Sequence, residues 1–147
     1  MTKLLSFPFL IAAASGIAMA IQGSLNSLLQ QKTHLLAATF VVHLIGLIVA
    51  LLTVLVYRVP ITQYPWASIP WYLYLGGVLS VLIIGLVAFS IPKIGVCNAT
   101  TAIIIGQVAA ALIIDHFGWL GIERLPWNPW QILGLILFAA GAKLLFD

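Results

Sequence analysis

The chain has 147 residues, of which 63% are hydrophobic and 6% charged, with a mean hydropathy of +1.20. That composition leaves nothing from which to build a soluble domain of normal size and indicates one membrane domain spanning residues 1–147. The net charge of +3 is spread thinly along the chain, so no basic patch for nucleic acid and no polybasic lipid-binding cluster is present.

Stretches free of Lys, Arg, Asp and Glu, dominated by Leu, Ile, Val, Ala and Phe, predict five membrane spans at 7–29, 36–57, 71–91, 96–115 and 130–146. Each must be a helix, because an isolated span in lipid satisfies its backbone polar groups internally. In the first span, Lys3, an apolar run and Ala18-Met19-Ala20 imitate a cleavable signal peptide. The apolar run continues past the mimic, and Gln22 and Asn26 follow at helical spacing, so this segment is expected to be retained as a span. Ala12, Gly16, Ala20 and Ser24 form a small-residue ridge, while Ser15, Gln22 and Asn26 share a polar sector roughly opposite. A tight turn at Gln30-Gln31-Lys32-Thr33 leads to the second span, where Thr39, His43, Gly46 and Ala50 share a stripe. His43 has two readings: a neutral imidazole satisfied by two bonds, or a substrate or proton role.

The connection after the second span carries Pro60, Pro65, Trp66, Pro70 and Trp71; the one after the fourth carries Trp119, Pro126, Trp127, Pro129 and Trp130. These hold all five tryptophans, whose amphipathic rings settle at headgroup depth. Gly76, Gly77 and Gly85 thin the third span, which Pro92 is expected to end, with Gly95 relaxing a close hairpin into the fourth. On the fourth span the packing ridge is Ala102, Gly106 and Ala110, and the polar stripe is Cys97, Thr100, Thr101, Gln107 and Asp115. Cys97 is a small packing residue with no possible internal disulfide. The threonines Thr39, Thr100 and Thr101 are expected to bond their own i−4 carbonyls more often than a ligand. Asp115 lies about 13 Å from the midplane at 1.5 Å per residue, an interface position, suited to an ion pair with His116 or Arg124 or to a gate.

Polar groups at hydrocarbon depth face a bundle interior or a wet cavity, so Gln22, Asn26 and Gln107 line a cavity or make cross-helix bonds. No carboxylate lies at a span centre, and His34, His43 and His116 lack metal-ligand spacing. No catalytic residue, metal site or cofactor is indicated, and an enzyme is the last-ranked class.

Charge gives the topology. Lys3, Arg58 and Arg124 fall on one side of the membrane and Lys32, Lys93 and Lys143 on the other. Orientation is set by an excess of Lys and Arg in short cytoplasmic loops, and here there is none. With an odd number of crossings, this balance implies that both orientations insert and that two opposite copies pair; a single orientation fixed by a partner or a weak local bias is the other reading.

Gly16 to Asn26, Gly46, Gly76-Gly77, Pro92-Lys93-Ile94-Gly95, Gly106-Gln107, Asp115-His116-Phe117-Gly118 and Gly134 together resemble the short five-helix YdcZ-type branch of the drug/metabolite transporter superfamily. The resemblance covers nearly the whole chain, and Gln22 with Asn26 plus the Gly106-Gln107 and Asp115 to Gly118 motifs are its most specific part. It implies a multi-pass inner-membrane protein that forms one half of an inverted-repeat ten-helix transporter, the other half supplied by a second copy in an antiparallel homodimer. It implies Gln22, Asn26 and Gln107 as substrate-binding positions, to which the polar stripes add His43 and Thr100. Where the family suggests an apolar residue or Phe in the second span, this chain has His43. The expected function is secondary transport, as an exporter of a small organic compound by alternating access. The other expectation is a non-transporting membrane subunit of a larger complex.

Overall fold

The computed structural model describes residues 7–146 and is all-helical. Five long helices follow one another: α1 Phe7–Lys32, α2 Leu35–Val56, α3 Leu75–Ile94, α4 Val96–Phe117 and α5 Pro129–Phe146. Four helical segments are long and apolar enough to cross a membrane: Phe7–Lys32, Leu35–Val56, Trp71–Ile94 and Val96–Phe117. The fifth, Pro129–Leu145, is apolar but shorter. The helices match the predicted spans to within a few residues, since runs without charge set their limits.

Local chemistry fixes the ends. His34 caps α2, its Nδ1 accepting from Leu36 N at 3.2 Å. Gly95, at φ 82°, separates α3 from α4 and accepts from Ala99 N through its carbonyl at 3.1 Å. At the start of α5, Asn128 Oδ1 accepts from Trp130 N and Gln131 Oε1 accepts from Asn128 N, both at 3.0 Å. This is a reciprocal capping box with Pro129 at the first helical position, where its missing N–H costs nothing.

Pro92 corrects an expectation. It does not end α3, which runs through it to Ile94. In the last turn the missing Pro92 N–H removes a single bond, and the carbonyls beyond have no helical partner in any case. Lys93 Nζ sits 3.5 Å from the centre of the Phe89 ring, a cation–π contact.

The connection between α2 and α3 is a chain of short 3-10 turns, Ile61–Gln63, Trp66–Ser68 and Trp71–Tyr74. Trp66 Nε1 donates to Ile61 O at 2.7 Å and Tyr74 OH donates to Trp66 O at 2.9 Å. Residues at headgroup depth thus satisfy part of their own backbone.

By contact density the chain divides at Lys93/Ile94 into two units. In the first, α1 packs on α2; in the second, α4 packs on α5.

Candidate functional site

The buried part of the first unit is small and polar. On α1 it consists of Gly23, Asn26 and Ser27, on α2 of Ala38 and Thr39, and on α3 of Ala88 and Ile91. Spacing of i, i+3 and i+4 makes the α1 group one face. Gly23 packs closely there: a Cβ would meet Ile91 Cδ1 and Val87 Cγ1, both at 3.1 Å, and those side chains would have to give by a few tenths of an ångström. This face falls between the predicted small-residue ridge and the predicted polar sector. It takes Asn26, 8% exposed, from the second, while Gln22 is exposed. Gly16, on the predicted ridge, has open space around it within the chain.

His43 joins α2 to α3. Its Nδ1 lies 2.8 Å from Thr39 O and its Nε2 3.2 Å from Ser80 Oγ. A carbonyl only accepts, so Nδ1 carries a proton, while the serine hydroxyl can pair with Nε2 as donor or acceptor. Both ring nitrogens are therefore satisfied within the unit. Thr39 Oγ1 donates to Leu35 O at 2.9 Å, the expected i−4 bond, and sits 3.8 Å from where a Cβ on Gly85 would stand.

Asn26 makes no side-chain hydrogen bond among the described residues, and one turn further along the same face Gln30 Oε1 is buried without a partner. Gln31 Nε2 donates weakly to Ser27 Oγ at 3.4 Å. Sequence reasoning missed Ser27, Gln30 and Ser80. The recurrence of Gly23, Asn26, Ser27 and Gln30 at i, i+3, i+4 and i+7 was the signal for the first two; Ser80 had none, because its partner is 37 residues away.

In the second unit the amide of the predicted polar stripe and the predicted packing ridge are exposed. Gln107, Ala102, Gly106 and Ala110 are exposed, Thr100 is half-buried and Thr101 is buried. A groove between α4 and α5, with a volume of about 250 Å³, is lined by Ile104, Val108, Leu112, Gly134, Leu135 and Phe138, with Gln131 the one polar residue. Neither Gln107 nor the ridge around Gly106 contributes to it.

The carboxyl end of α4 is closed by the segment that follows. Gly118, at φ 65°, returns its N–H to Ile114 O. Leu125 N donates to Asp115 O at 2.8 Å, Arg124 Nε to His116 O at 2.9 Å and Trp127 Nε1 to Leu112 O at 3.1 Å. His116 Nδ1 accepts from Trp127 N at 3.3 Å, and the two rings stack at 4.3 Å. Where an ion pair of Asp115 with His116 or Arg124 was expected, this corner is held by bonds to backbone carbonyls. The physical reason is that a helix end leaves four carbonyls without partners, and here the Leu125 amide and Arg124 supply two of the donors, to Asp115 O and His116 O.

The family model described as "Putative inner membrane exporter, YdcZ", related to the drug/metabolite transporters, matches residues 7–144. The chain belongs to this family. It is thus a multi-pass protein of the inner membrane, in a family of exporters rather than of enzymes. No curated protein and no solved structure matches it.

Proposed function

We propose that this YdcZ-family protein exports small organic compounds by alternating access, as an antiparallel pair of five-span copies. The observation that carries the reading is Gln107. It sits at the middle of α4, a 22-residue apolar helix, and its side chain is exposed. A primary amide facing hydrocarbon without partners costs several kcal/mol in principle, so it calls for a neighbouring helix or a wet cavity. Gln22 on α1 is exposed in the same way, and the balance of three basic residues on each side favours insertion in both orientations. Two opposite copies bring such residues together near a midplane site, the arrangement on which inverted-repeat transporters operate. Gln22, Asn26 and Gln107 supply hydrogen bonds to the substrate, with His43 and Thr100 nearby on their stripes and the Asp115-His116 corner at the interface end.

The test is flux in proteoliposomes. Gln107→Leu keeps approximate volume and removes the hydrogen-bonding group, so transport should fall to background while the pair still assembles. Normal flux with Gln107→Leu would overturn the site. Orientation is tested separately: reporters active only in the cytoplasm or only outside, fused to the carboxyl end, should give comparable signals. Removal of Lys32 and Lys93 leaves one basic residue against three and should drive most copies into one orientation, lowering the yield of pairs.

A further inference from the structure

Two carboxamides one turn apart on the packing face of α1, Asn26 and Gln30, have no hydrogen-bond partner among the described residues. Gln30 Oε1 is the one fully buried side-chain nitrogen or oxygen without a partner among the described residues, and the Asn26 carboxamide, on a residue 8% exposed, lies one turn away from it. An unpartnered buried acceptor is rare, because it forfeits its hydration with nothing in return. Their surroundings along the chain carry no negative charge. The three acidic residues are Asp115, Glu123 and Asp147, so residues 1–93 contain none, and the charge nearest to Gln30 in sequence is the positive Lys32. The other buried or cross-helix polar side chains of this unit, Ser27, Thr39, Ser80 and His43, include no carboxylate. A buried ammonium needs a carboxylate to offset its desolvation, whereas an uncharged hydroxyl or amide needs only an acceptor.

We propose that the Asn26–Gln30 face is a recognition subsite for an uncharged solute bearing hydroxyl or primary amide groups, so that the exporter carries neutral polar molecules rather than organic cations. This rests on the transporter reading. Asn26 lies about 10 Å and Gln30 about 16 Å from the middle of α1 at 1.5 Å per residue, which places the subsite between the interior and the membrane surface at the Lys32 end.

The test uses the purified full chain in detergent, with thermal-shift and proteoliposome-flux measurements against two panels. One is neutral: sorbitol, xylitol, nicotinamide and glutamine-free small amides. The other is cationic: tetraethylammonium, ethidium and putrescine. Stabilisation by a neutral compound and by no cation is expected. Gln30→Leu should weaken that binding by about tenfold, the worth of one hydrogen bond, while the ligand-free variant melts at or above the wild-type temperature because an orphaned acceptor is gone. Gln30→Glu should gain a response to the cations. Binding of a cation by the unmodified chain, or unaltered neutral binding in Gln30→Leu, overturns the subsite and leaves the transporter reading standing. A lowered melting temperature of ligand-free Gln30→Leu also overturns it, since Oε1 then has a donor in the assembled protein. Silence of both panels in binding and in flux overturns the transporter reading and the subsite with it.

Discussion

Each unit of the chain buries a threonine, Thr39 or Thr101, but the two differ in where an amide sits: Asn26 is buried in the first and Gln107 is exposed in the second. In α1–α3 the buried positions include Asn26, Ser27 and Thr39, and His43 bonds across to Ser80. In α4 and α5 the groove between the helices is apolar, while the amide at the middle of α4, Gln107, is exposed. A polar group inside a unit is a local packing problem that the chain answers itself. A polar group on the outside of an apolar helix is a demand on something else. On the proposed pairing, the difference separates residues that depend on assembly from those that do not, and glycine substitutions test it.

Gly23→Leu should have the largest effect on the chain itself. Its Cβ would press on Ile91 and Val87 at 3.1 Å, and overpacking of this kind costs about 1–3 kcal/mol. A lowered melting temperature for the unpaired chain is the expected measurement. Gly118→Val comes next: its φ of 65° is left-handed, and Arg124 Cβ and Ile122 O would lie 3.2 and 3.3 Å from the new Cβ. The left-handed conformation alone costs a non-glycine residue about 1–2 kcal/mol, and loosening of this corner should be read as faster exchange of the Leu125 amide. Ser80→Ala removes the hydroxyl partner of His43 and should cost only about 0.6 kcal/mol, the average for such bonds between membrane helices. Gly106→Leu should leave the melting of the single chain unchanged, since nothing lies within 4 Å of its added Cβ, yet it should abolish pairing measured by cross-linking. Equal effects of Gly23→Leu and Gly106→Leu on the unpaired chain would erase the distinction between the units.

Helix positions were readable because charge is scarce: every long run without it became a helix, and the breaks coincide with Lys32, Arg58, Lys93 and Arg124 or lie within a few residues of them. The rotation of each helix was less readable. On α1 the small ridge at Gly16 and the polar sector at Gln22 are both visible in sequence, but the face that packs lies between them and is decided by α3 residues Val87 and Ile91. The i−4 bond of Thr39 is local and was foreseen; the bond between Ser80 and His43 is long-range and carries no periodic mark. Pro92 is a weak stop here, because its effect depends on how many turns remain beyond it. At the Asp115 corner the charged residues suggested an ion pair, whereas the unfilled carbonyls at the end of α4 claimed the donors.

The confinement of all five tryptophans to the connections after α2 and α4 and the first turn of α5 gives the protein a built-in optical label. On the proposed topology the chain crosses by α3 and returns by α4, which brings both connections to the same membrane face, so indole emission from one copy reports on one leaflet only. In sealed vesicles, a water-soluble quencher such as iodide added outside would then dim every tryptophan or almost none in a uniformly inserted population. Antiparallel pairs would lose close to half of the accessible emission, whatever the orientation of the vesicle, and the orientation of the unmodified chain becomes a fluorescence reading.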